Sequence, residues 1–153
     1  MRREETVDHH IKAAWHAIAR MYNQQAAAYD ATMAMGFVLL TINAEEGTPA
    51  TKIAPLMGLE ARSLTRLLNT MEERGVIVRK TDALDKRSVR VYLTEEGKQK
   101  RDKAKETVLN FNNAVRKEIS QEKLNVFFEV IQSIQQVVEK DNINIKAYNL
   151  ISE

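Results

Sequence analysis

The sequence predicts a mainly α-helical fold with one small two-stranded β element near its middle. Three observations carry that expectation. Stretches with apolar residues at three-and-four spacing occupy most of the 153 residues, and only five Gly and two Pro interrupt them. The apolar period changes to strict alternation only once, after Gly75. With 44% hydrophobic residues the chain has enough apolar side chains for one globular core.

Over residues 7–29, Ile11, Ala14, Trp15, Ile18, Met21, Tyr22, Ala26 and Tyr29 draw one face of a long amphipathic helix. A shorter helix is expected over 34–44, where Phe37-Val38-Leu39-Leu40-Thr41-Ile42 is apolar on most sides and so reads as buried. Glu45-Glu46-Gly47 ends it, and Thr48-Pro49 reads as the N-cap and first position of the next helix. That helix, 50–57, must be short, because Pro55 removes one of its hydrogen bonds and Gly58 closes it. The helix over 60–74 has Leu64, Leu67, Leu68 and Met71 on its apolar face. Arg62, Ser63, Thr65, Arg66, Asn69 and Thr70 fall on its other faces. Two helices joined by a tight turn containing Gly form a helix-turn-helix, whose second helix is free to enter a DNA groove.

Gly75 suits the end of that second helix. Val76-Ile77-Val78 and Val89-Arg90-Val91-Tyr92-Leu93 then read as two strands, with Val89, Val91 and Leu93 facing one way. Between them lies Arg79-Lys80-Thr81-Asp82-Ala83-Leu84-Asp85-Lys86-Arg87-Ser88, a basic tip with embedded carboxylates. Thr94 is expected to cap a helix reaching about residue 119, with Glu95 and Glu96 at its positive end. Its polar run through Lys98, Lys100, Arg101 and Lys103 reads first as a solvated face and only second as a set of phosphate contacts. Ser120 caps a last long helix striped by Leu124, Phe127, Phe128, Ile131, Ile134 and Val138. A tail follows with Ile143, Ile145, Tyr148 and Leu150. Together the stripe and the tail offer more apolar surface than one copy covers, which favours a second copy as the cover.

Charge is unevenly spread. Residues 1–51 hold 4 basic and 6 acidic side chains, 52–103 hold 13 and 8, and 104–153 hold 6 and 7, so the excess positive charge sits in the middle third. That is the footprint expected of a polyanion-binding surface.

Other classes of function find little support. There is no Gly-rich phosphate loop, no Cys nucleophile, no His-Glu-x-x-His and no Gly-x-Ser-x-Gly, which argues against an enzyme. Zero Cys excludes disulfides and thiolate metal sites. His9 and His16, with His10 and Asp8 nearby, lack further ligands at metal-binding spacing, so neither metal nor cofactor is expected. No apolar run reaches the roughly 20 residues that cross a bilayer. The N-terminus lacks the apolar core of a signal peptide, so the expected place is the cytoplasm, with no membrane partner.

The run Arg62-Ser63-Leu64-Thr65-Arg66-Leu67-Leu68, followed by Met71-Glu72-Glu73-Arg74-Gly75-Val76-Ile77, Arg79, Asp85-Lys86-Arg87-Ser88 and Leu93-Thr94-Glu95-Glu96-Gly97, resembles the MarR family of bacterial winged helix-turn-helix regulators. The resemblance in architecture covers nearly the whole chain. It implies one MarR-like domain over 1–153, with a DNA-binding module at about 34–94 and dimerisation helices at about 7–30 and 95–153. A homodimer on a palindromic double-stranded operator is implied, as is repression relieved by a small-molecule effector. Position by position, the resemblance places Ser63, Thr65, Arg66 and Asn69 on the major-groove face. Asp85 would orient Arg87 toward the minor groove, where a guanidinium is favoured.

With the polar neighbours, the candidate DNA-binding set is Arg62, Ser63, Thr65, Arg66, Asn69, Thr70, Arg79, Asp85, Lys86, Arg87 and Ser88. Trp15, Tyr22, Met33 and Phe37 are the candidate effector pocket. Two departures from the family pattern are Glu60, standing where a Ser-like N-cap is common, and Pro55 inside the preceding helix. The alternative is a winged-helix protein-interaction module that does not bind DNA.

Overall fold

The computed structural model describes residues 1–140, and the apolar tail positions read from the sequence at 143–150 lie outside them. The chain packs as two units, Met1–Leu109 and the residues from Asn110 onward. Among the described residues no helix is long and apolar enough to cross a membrane.

The first unit opens with a single 3-10 turn, Arg3–Glu5, and the long helix α1, Val7–Ala27. Helix α2, Met33–Thr41, starts where Thr32 accepts a hydrogen bond from the Met35 N–H at 3.2 Å. Asn23 of α1 accepts from the Met33 N–H at 3.0 Å and so ties α1 to the first turn of α2. Helices α3, Ala50–Met57, and α4, Ala61–Glu73, follow.

Each of these two helices ends in a Schellman arrangement. Gly58 at φ 63° donates to Pro55 O while Leu59 donates to Ala54 O. Gly75 at φ 72° donates to Glu72 O while Val76 donates to Met71 O. Both bends need a left-handed residue, which glycine adopts without a Cβ penalty, and both satisfy carbonyls that a helix end leaves open.

Strands β2, Ile77–Thr81, and β3, Val89–Leu93, pair antiparallel from Ile77↔Leu93 to Thr81↔Val89. The first is longer than the apolar run suggested. Arg79, Lys80 and Thr81 belong to the ladder rather than to the tip, because pairing uses backbone groups whatever the side chains. The two-stranded wing gains a third member, β1, Thr48–Pro49, which pairs with β3 on its other side through Thr48↔Val91 and Pro49↔Arg90. Thr48 therefore does not cap α3: its hydroxyl accepts from the Asn43 N–H at 2.9 Å, and Pro49 holds the N-cap position.

The core lies between α2, α3, α4 and the sheet. It is built from Met35, Val38, Leu39, Ile42, Ile53, Ala54, Leu64, Leu68, Met71, Val76, Ile77, Val91 and Leu93. These are the positions that a period near 3.6 in the helices and of 2 in the strands brings to one side.

Helix α5, Glu95–Glu118, leaves the sheet under a tight constraint. Thr94 Oγ1 donates to Gly75 O at 2.6 Å and accepts from the Gly97 N–H at 3.0 Å, so one hydroxyl caps α5 and ties it to the end of α4. In the second unit, α6, Gln121–Lys140, begins where Ser120 accepts from the Lys123 N–H at 3.4 Å.

Candidate nucleic-acid interface

Helix α4 divides its residues by face. Leu64, Leu68 and Met71 are buried, and Arg62, Ser63, Thr65, Arg66, Asn69 and Thr70 are all exposed. The hydroxyls of Thr65 and Thr70 donate back to Ala61 O at 2.9 Å and Arg66 O at 3.2 Å, which leaves their oxygens able to accept from outside. Glu60 is the N-cap residue and makes no side-chain cap. Two arginines anchor the helix from below. Arg74 donates to Asp30 O at 3.0 Å, and Arg79 on β2 donates to Glu72 at 2.8 Å and to Asn69 at 2.7 Å. The hydrogen bond from Arg79 is the chief reason the Glu72 carboxyl sits below its ordinary pKa.

The tip of the wing, residues 82–88, is closed by its own backbone. The Asp82 N–H donates to Ser88 O at 2.9 Å and the Ser88 N–H to Asp85 O at 3.0 Å. Asp85 Oδ1 accepts from the Arg87 N–H at 3.0 Å, so this carboxylate shapes the loop through backbone. Lys86 and Arg87 stand exposed, as does Leu84 at 96%. Ser88 is half-buried at the return into β3.

The base of the wing holds a pair that sequence reasoning missed. Asp82 is 8% exposed and meets Arg90 Nε at 3.1 Å. Arg90 also donates to Glu46 O at 3.1 Å and Gly47 O at 3.3 Å, which joins the wing to the loop before β1. The Leu84 N–H and then Arg90 hold the Asp82 carboxyl below its ordinary pKa. The available signal was Arg90 at an outward position of an alternating strand, eight residues after an Asp.

A second feature of the same unit is a cleft, partly open to solvent, between α1, α2 and α5. Tyr22, Met33 and Phe37 line it as expected, and the rings of Tyr22 and Phe37 meet edge to face at 5.8 Å. Trp15 does not line it: it is 48% exposed on α1, two turns before Tyr22. Ala104, Thr107 and Val108 complete the wall from α5, a helix whose first half reads as polar. Lys100 also lines it and donates to Tyr29 O at 2.6 Å. Burial raises the pKa of the Tyr22 phenol, which keeps it neutral.

Residues 32–89, from the N-cap of α2 to the start of β3, match the family model described as MarR family. The HTH-type transcriptional regulator TtmR of Methylorubrum extorquens is 34% identical over 88 residues, 58% of this chain and 45% of that protein. The chain spans about half the length of the curated relatives it matches. The fold is similar to that in the crystal structure of the Staphylococcus aureus MepR–DNA complex, with a TM-score of 0.80 at 18% identity over 86% of this chain and 98% of that one. It is also similar to the PcaV transcriptional regulator of Streptomyces coelicolor in complex with its natural ligand. There the TM-score is 0.77 at 18% identity over 90% of this chain and 97% of that one.

Proposed function

We propose that this chain, whose winged helix-turn-helix module matches the MarR family model, is a sequence-specific transcriptional regulator that binds DNA as a homodimer. In this reading it represses from a palindromic operator and is released by a small-molecule effector. The observation that carries the proposal is the exposed polar face of α4 standing beside a braced wing tip with Lys86 and Arg87 free in solvent. An exposed helix presents hydrogen-bonding groups to base edges, while cations near phosphates release counterions and supply most of the affinity. Two such modules about a two-fold axis would meet half-sites about 10 base pairs apart.

The homodimer is supported by apolar side chains that the single chain leaves open. Val126, Phe127, Phe128, Val130, Val137 and Val138 on α6 are all exposed, a surface that normally marks an interaction site. The cleft beneath α2 supports the effector: it is mainly apolar and sits in the unit that carries the module. An effector releases DNA only if it binds the spacing of elements that DNA does not favour. Thermal-shift screening with phenolic acids, lipids and antibiotics, with and without DNA, finds such a molecule.

The direct test is fluorescence anisotropy with labelled duplexes from upstream of the protein's own gene. Binding should weaken steeply with salt, and Arg87→Ala should cost on the order of 1–3 kcal/mol while the melting curve stays in place. Unchanged affinity in that variant removes the wing from the interface. Absence of any binding by the wild type at low salt returns the module to the protein-interaction reading.

A further inference from the structure

Arg79 and Asn69 were both expected to face DNA, yet in the structure they face each other. Arg79 sits in β2 with its fork closed on α4: Nε donates to Glu72 Oε2 at 2.8 Å and Nη2 donates to Asn69 Oδ1 at 2.7 Å. A guanidinium has donors only, so the Asn69 atom it meets must be the carbonyl oxygen. The amide is thereby fixed in one of its two orientations, with its NH2 group turned from Arg79. That NH2 group has no acceptor among the described residues.

We infer that Arg79 is a positioning residue that sets the Asn69 amide from below, making Asn69 a specificity-determining donor on the exposed face of α4. This rests on the reading that α4 enters the major groove. Two-point recognition of adenine needs a side-chain carbonyl to accept from N6 while the NH2 donates to N7. In Asn69 one of the two carbonyl lone pairs is taken by a cation, which fixes the amide with its NH2 outward as the leading donor. The edges that suit that donor carry an acceptor, purine N7, guanine O6 or thymine O4, and cytosine, which presents only its N4 amine, is the base it rejects. Glu72 completes the device by holding the guanidinium in place and balancing its charge beside the helix. Arg79 is thus withdrawn from the phosphates, and its contribution is to selectivity.

The experiment starts with the full chain and a 30-base-pair duplex library randomised through its centre, from which the wild type selects a consensus. Affinities are then read on duplexes substituted at each position, over a series of salt concentrations. Asn69→Ala should lose preference at one base pair of each half-site, and the base selected there on the strand α4 faces should carry a major-groove acceptor, with cytosine the one rejected. Arg79→Lys keeps the charge but not the fork. It should lose the same preference by about tenfold, with the double variant no worse than Asn69→Ala at that position.

The charge-neutral pair Glu72→Gln with Arg79→Met should leave the slope of log K against log salt unchanged. A phosphate contact would instead lower it by about 0.9 for each Arg79 lost. Circular-dichroism melts confirm that each variant is folded; if Arg79→Lys is not, Glu72→Gln alone loosens the fork and should blunt the same preference. Cytosine selected at the Asn69 position, a change at a different position in Arg79→Lys, or a lowered salt slope each overturns the inference while leaving DNA binding intact. A wild type that enriches no duplex overturns both.

Discussion

The winged module and helix α6 put their apolar residues to opposite ends. In the module, α2 to β3, side chains such as Met35, Val38, Leu39, Ile53, Met71 and Val91 are sealed by their own neighbours. On α6 only Leu124 is buried, while Phe127, Phe128, Val130 and Val137 remain open to solvent. The module has closed its core within one chain, whereas α6 keeps an apolar face whose burial requires a further surface. Stability of the first should be a property of the single chain. Stability of the second should follow mass action, if a second copy is the cover.

The sharpest way to break this contrast is to truncate one side chain on each side of it. Leu39→Ala should cost about 2–5 kcal/mol of unfolding free energy, because a 1% exposed side chain leaves a cavity its neighbours fill only in part. The loss should be the same at all protein concentrations. Val130→Asp should instead move the monomer–dimer equilibrium in sedimentation velocity, with a loss of melting temperature that fades on dilution. Equal, concentration-independent losses from both would show that α6 is covered within its own chain.

A smaller effect is expected where α5 leaves the module. A Cβ added to Gly97 would collide with the Val76 carbonyl oxygen, a backbone atom that cannot swing away. Gly97→Ala should therefore cost about 1–3 kcal/mol in urea unfolding, the usual size of an overpacking penalty. If the cost is negligible, the close approach of α5 to residue 76 is not part of the ground state, and the module is less tightly sealed than Leu39 suggests.

The same contrast explains how much was legible in the sequence. Helices α1, α4 and α6 could be read from apolar spacing, since burial on one side leaves a period of 3.6 in the residue types, while α2 was read from an apolar run and α3 and α5 from their caps and turn residues. Gly58 and Gly75 marked the two turns because no other residue adopts their backbone so cheaply. Strand β1 left no such mark: two residues, one of them Pro, are indistinguishable from a helix start until Val91 is known to lie opposite. The candidate site divided in the same way. The exposed face of α4 follows from the helical period. The Arg79–Asn69 and Asp82–Arg90 contacts depend on elements meeting in space and have no local signature. The cleft was half legible, since its α2 wall is apolar in sequence and its α5 wall starts inside a polar run, at Lys100 and Ala104.

Next in size is the cap that joins sheet and helix. Thr94→Ala removes the hydroxyl that accepts from Gly97 and donates to Gly75 O, and should cost about 1 kcal/mol in urea unfolding. Thr94→Ser keeps both bonds and should restore most of it. A cost in Ser equal to that in Ala would assign the effect to the lost methyl group.

The smallest expected effect concerns the wing base and depends on pH. The folded-state pKa of Asp82 lies below its ordinary value of 3.8, because the Leu84 N–H and Arg90 both favour the carboxylate. A depressed pKa means that the unfolded chain takes up the proton first as the pH falls. The contribution of Asp82 is therefore fully present above its ordinary pKa and is lost as the pH drops through the lowered folded value. Asp82→Asn cannot titrate, so the gap between its urea midpoint and that of the wild type should be constant from neutral pH to about pH 5 and close progressively below about pH 4. The lowered carboxyls of Glu5 and Glu72 act in the same direction but are common to both proteins, so they cancel in the difference. A gap that widens on acidification would mean that the protonated Asp82 is the better partner for Arg90, and that the wing is braced by its backbone bonds alone.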